Sequence, residues 1–189
     1  MYKKLFILLY KLIVEPVSAW GNLEKEKDKN GEEFYKEYLF PIIGIIALLS
    51  FIGVLLSEKT FDVQLALKVV LKEVMIYGGG FYLASFLIKE FVFPRFEIKK
   101  DKVLSEKFVG YSSVVIYAIA MLGALFPSLF VLQLLSIYTI YVIWVGAVNY
   151  LKIEEDYWVR FTTITSIIIM ITPFLLKWLI SLLMPGMRT

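Results

Sequence analysis

The stretch YLFPIIGIIALLSFIGVLLS, Tyr38 to Ser57, runs 20 residues without a charge. At about 1.5 Å of rise per residue, a helix of that length crosses a hydrocarbon layer of about 30 Å. The rest of the chain repeats the pattern. Of its 189 residues 59% are hydrophobic and 20% charged, and the mean hydropathy is +0.75. Water-soluble domains are nearer half apolar and about a quarter charged. Lys, Arg, Asp and Glu fall almost wholly between the apolar blocks. This predicts an all-α, polytopic integral membrane protein: a bundle of about five transmembrane helices, preceded by an N-terminal amphipathic interfacial helix.

Outward from that first span, Phe61 to Val74 is apolar but carries Lys68, Lys72 and Glu73. It reads as a partly interfacial lead-in to a second span from Val74 to about Phe93. Phe108 to Leu151 then holds 44 residues without a charge. That is too long for one crossing and suits two, joined by a turn around Phe126-Pro127-Ser128. The last span runs from Phe161 to about Met184, with Pro173 expected to kink it and Lys177 nearing the far interface.

Ahead of Tyr38, MYKKLFILLYKLIVEP sets Lys4, Lys11 and Glu15 seven and four residues apart, on one side of an otherwise apolar helix. Such a helix lies in the interface plane. Lys11 interrupts the apolar run that a signal peptide needs. Pro16 opens a second short helix and Asn30-Gly31 turns the chain. Residues 1–37 therefore form a cytoplasmic amphipathic and polar segment, and 38–189 the membrane domain. With the N-terminus inside, the outer side receives only Lys59, Lys68, Lys72, Lys177 and Arg188 of the 20 basic residues. The positive-inside rule then sets the N-terminus in the cytoplasm and the C-terminus outside.

The chemistry open to the chain is narrow. Cysteine and histidine are absent, which removes disulfides, thiolate nucleophiles, imidazole acid/base work and most zinc sites. No catalytic residue, cofactor or metal site is expected. A net charge of +3 leaves no basic face clear of lipid for nucleic acid. Glu154, Glu155 and Asp156 read as a solvated loop. The span interiors are expected to hold no ionisable group, only hydroxyls and amides bonded to helix backbones. Glu73 and Glu90, at span ends, are the carboxylates left for acid/base work on a lipid. Gly78, Gly79 and Gly80 lack the Lys and Ser/Thr that follow the glycines of a phosphate loop. Inside a span, small residues let helix backbones approach. The run is expected to pack closely, with Gly44, Gly53 and Gly123 as partners, or to open a cavity at a helix break. Trp20, Trp144, Trp158 and Trp178 mostly lie near span ends, where indoles settle at the interface.

In their order along the chain these segments resemble the Yip1 family of membrane proteins. The resemblance is carried by the amphipathic start and by EPVSAWGNL, with Pro16 and Trp20 as a Pro-x-x-x-Trp element. It continues through YLFPIIGIIALLSFIG as the first span, VGYSSVVIY with Gly110 and Tyr111 opening the third, and YLKIEEDYWVRFTTIT entering the last. It is similar to the short prokaryotic members. The resemblance implies a non-enzymatic scaffold or adaptor in membrane organisation or trafficking, multi-pass in a bacterial inner membrane. Its partners would be membrane lipids and a membrane or cytoplasmic protein, with self-association open. The glycine run and the hydroxyl-rich last span leave one alternative, a transporter or channel for a neutral or lipidic substrate.

Acyl chains, not water, solvate the uncharged blocks in this reading. Size-exclusion chromatography checks it: one symmetric peak in detergent, aggregation in plain buffer.

Overall fold

The computed structural model describes residues 2–27, 31–57, 62–126 and 130–183. These are 91% helical, with no strand among them. Helix α1 spans Tyr2–Val14 and α2 spans Pro16–Lys25. Helix α3, Gly31–Phe34, runs through a π-helical turn at Tyr35–Leu39 into α4, Phe40–Ser57. Helix α5, Val63–Leu87, continues through a π-helical turn at Ile88–Val92 and a 3-10 turn at Phe93–Phe96. Helices α6, Lys102–Ser112, and α7, Val114–Leu125, meet at a bend of 49°. A 3-10 segment, Phe130–Ile137, leads into α8, Tyr138–Asn149, and α9 covers Trp158–Leu183.

Four helical runs are long and apolar enough to cross a membrane: Gly31–Leu56, Val63–Phe96, Val131–Asn149 and Glu155–Leu183. The bent α6–α7 pair supplies a fifth. Asp62 and Asp101 start α5 and α6, each accepting the backbone N–H three residues on, from Leu65 and Leu104 at 2.9 Å. Such caps satisfy donors that a helix start leaves bare. At the α6–α7 bend the Ser113 hydroxyl donates to the Val109 carbonyl at 2.8 Å, a local bond that bends helices. Helix α9 passes through Pro173 as one α-helix.

Two elements differ from the sequence reading. The first is α1, which is not a lone helix. It folds back on α2 at Glu15 to make a helical hairpin, with Leu5 and Leu12 buried. The Tyr138 hydroxyl donates to the Ile13 carbonyl at 2.8 Å, Trp20 Nε1 to the Val142 carbonyl at 3.1 Å, and Lys27 Nζ to the Tyr150 carbonyl at 3.1 Å. These contacts advance in step, so α2 runs alongside α8 and the hairpin tip lies beside the start of α8. Lys4 and Lys11 leave an apolar stripe on α1, and that stripe faces protein through Leu5 and Leu12. The second difference is in α5. Residues 63–87 form one helix antiparallel to α4, so Lys68, Lys72 and Glu73 belong to a single helix packed along α4 and not to a separate lead-in. No Pro or Gly interrupts 63–77, and the apolar side of α4 is there to pair with.

Helix α4 packs on α5 and α7, α5 on α9, and α8 on α9 and α2. At the α4–α7 crossing a β-carbon on Gly53 would collide with the Ala124 carbonyl oxygen, whereas Gly44 and Gly123 face open space. Pro127 and Ser128 of the expected turn, and Asn30 of the other, lie outside the described residues.

Replacing Gly53 with Ala forces the crossing apart and is expected to lose about 1–3 kcal/mol. Gly44→Ala is expected to be neutral or to gain up to about 1 kcal/mol through helix propensity. Thermal unfolding of the two variants in one detergent checks the contrast.

Candidate functional site

Of the residues Pro16, Trp20, Gly110 and Tyr111 singled out in the sequence, Trp20 and Tyr111, far apart in the chain, meet beside α2, and Gly110 precedes Tyr111 there. Pro16 is buried at the first position of α2. Trp20 is wholly buried, with its ring centroid 5.7 Å from Phe108, 5.9 Å from Tyr111 and 5.2 Å from Tyr150. It is a core residue and not an interfacial indole, unlike Trp144 and Trp178, which are exposed. Gly146 makes room for it: a β-carbon there would stand 2.7 Å from the indole. Gly110 does the same for Phe34, at 2.5 Å. The Tyr38 hydroxyl donates to the Gly110 carbonyl at 3.1 Å, and its ring meets Tyr111 edge to face at 4.7 Å. Buried aromatics with satisfied N–H and O–H groups fix one arrangement of their neighbours.

Over this aromatic floor lies a cavity of about 330 Å³. Phe34, Tyr38 and Tyr111 form its base, and Lys4, Glu26, Glu33, Glu37 and Lys107 its rim. Lys107 Nζ donates to the Lys27 carbonyl at 2.9 Å. Beside it, Lys152 pairs with Glu24 at 2.7 Å and fastens α2 to the chain after α8. The hydrogen bond and charge of Lys152 hold the Glu24 carboxyl below the usual carboxylate range.

The glycine run continues α5 without a break. Gly78 faces Ile43 of α4, Gly79 faces Leu176 of α9, and Gly80 faces Pro173. Beyond it, toward the other end of the bundle, is a second cavity of about 100 Å³. Glu73 and Tyr77 line it from α5, Gln133 and Ser136 from the 3-10 segment, and Pro173 and Lys177 from α9. An ionisable group within a spanning-length helix is what the sequence reading had set aside. Register explains the miss, because Glu73 counts as a span end only when the second span starts at Val74. Some polar side chains do bond back to their own helix: Asn149 to Val145, Thr163 to Val159 and Thr172 to Ile168. Ser112, Thr139, Thr162, Thr165 and Ser166 do not, and are buried without a protein partner. Glu90 pairs with Lys89 at 2.8 Å and Lys100 at 2.6 Å, away from both cavities.

No family model, no curated protein and no solved structure matches this chain. Among the described residues, no group of three or more acidic side chains is placed to hold a metal ion.

Trp20→Ala would empty a fully packed site and is expected to lower stability by about 3–5 kcal/mol. Trp144→Ala, at an exposed position, is expected to change it by under about 1 kcal/mol. Unfolding monitored by circular dichroism in micelles distinguishes the two.

Proposed function

We propose that the chain crosses a bilayer about five times, N-terminus in the cytoplasm, and serves as a non-enzymatic scaffold that organises or bends the membrane around it. The observation that carries this reading is the α1–α2 hairpin. It adds two helices beside the bundle at one end only, and its outer side presents Phe6, Ile7, Tyr10, Val14 and Val17 with Lys3, Lys4 and Lys11 around them. The hairpin follows α8 from Tyr150, whose carbonyl Lys27 bonds, to Tyr138, which bonds Ile13, twelve residues and roughly 18 Å. An apolar face of that length, edged with lysines that reach the headgroups, enters the bilayer from one side. The protein thus occupies more area in the cytoplasmic leaflet than in the outer one. The Yip1 resemblance supports the same class of function, since Trp20, on α2, packs against Tyr111 where the hairpin meets the bundle.

Reconstitution tests the proposal. The wild type is expected to accumulate several-fold in small vesicles over large ones of the same lipid. Phe6→Ser, Ile7→Ser and Tyr10→Ser combined change only exposed positions and should remove that preference. Equal partitioning of the wild type would overturn the reading.

A further inference from the structure

The cavity at Glu73 and Lys177 plays no part in membrane bending, and packing does not account for it. Along the antiparallel α4–α5 pair, Gly78 faces Ile43. Glu73 lies five residues further, about 7–8 Å along the axis, level with the middle of the uncharged stretch 38–57. A carboxylate at that depth is costly and marks a pathway or a binding site far more often than a structural role. Glu73 is half-buried, and among the described residues it makes no direct ion pair. Two cations act on it: Lys72, its buried neighbour on α5, and across the cavity Lys177, at the exposed mouth beside Gln133. The Ser136 hydroxyl turns away, donating to the Gln133 carbonyl at 2.6 Å. What remains is a small chamber with a negative group inside, a positive group at its opening and a hydrophobic wall of Ile76, Ile119 and Phe174.

We propose that this chamber binds a small zwitterion, its ammonium group on Glu73 and its anionic group on Lys177. Such a ligand meets the carboxylate and the ammonium that line the chamber and adds no net charge at depth. The volume agrees: about 100 Å³ is room for roughly three waters or one molecule of glycine size. The same pair of groups recurs in a free amino acid and in the headgroup of an ethanolamine phospholipid. A lipid source has a route, because the mouth opens sideways between α9 and the 3-10 segment, where Phe174 and Gln133 are exposed.

Calorimetric titration of the detergent-solubilised protein with glycine tests the free source. Thermal stability in nanodiscs with and without phosphatidylethanolamine tests the lipid source. Saturable glycine binding, or stabilisation by phosphatidylethanolamine over phosphatidylglycerol, is expected. Methylammonium and acetate, each with half of the charge pattern, should bind at least about tenfold more weakly. Glu73→Gln and Lys177→Gln should each weaken the zwitterion by at least about tenfold while remaining monodisperse. The exchanged pair, Glu73→Lys with Lys177→Glu, should restore binding, which a folding defect cannot do. No response to the zwitterion in either arm, or binding unchanged in both single variants, overturns the proposal.

Discussion

One interaction governs the half of the fold that carries α1 and α2: the Trp20 indole seated against Gly146, with its N–H on the Val142 carbonyl. A side chain on Gly146 would stand where the ring lies, so helix α2 reaches α8 only because that position has none. With α2 in place, α1 has a surface to fold back on, and Lys152 closes the arrangement through Glu24. The aromatic floor of Phe34, Tyr38 and Tyr111 forms on the other side of the same indole. The hairpin, the larger cavity and the proposed asymmetry between leaflets all depend on that fit.

The opposite half follows another rule. Lipid offers apolar helices no hydrophobic reason to associate, so close contact and polar groups decide how they pair. Gly53 against the Ala124 carbonyl, and the glycine run against Ile43, Leu176 and Pro173, supply the close contact. Glu73 and Lys177 are two of the charged groups in this half, with Lys72 buried next to Glu73 on α5. They stand on neighbouring helices at one cavity, where a charge on a lipid-facing surface would have no compensation.

Part of this was legible in the residues alone. Uncharged blocks of 20 and 44 residues can be helices only where they can be counted, and the spanning-length helices fall where the blocks do. Pro16, Trp20, Gly110 and Tyr111 were also singled out, although the packing of Trp20 on Tyr111 was not visible. Two misreadings have physical causes. Trp20 was grouped with the tryptophans near span ends, where indoles settle at the interface, yet its burial is decided by Phe108, Tyr111, Val142 and Tyr150, about ninety or more positions away. The second span was started at Val74 because Lys72 and Glu73 looked too costly to bury. Charge cost marks where a group needs a partner, not where a helix begins, and the partner side was on α9.

Composition and charge spacing by themselves determined the helical class, the run of helices long and apolar enough to cross a membrane and the absence of thiol or imidazole groups, because each depends only on a block's own residues. The hairpin of α1 and α2, the burial of Trp20 and the meeting of Glu73 with Lys177 were decided by tertiary structure alone. Each is a relation between segments distant in sequence, fixed by which surfaces are small enough to be approached and which charges need an opposite beside them.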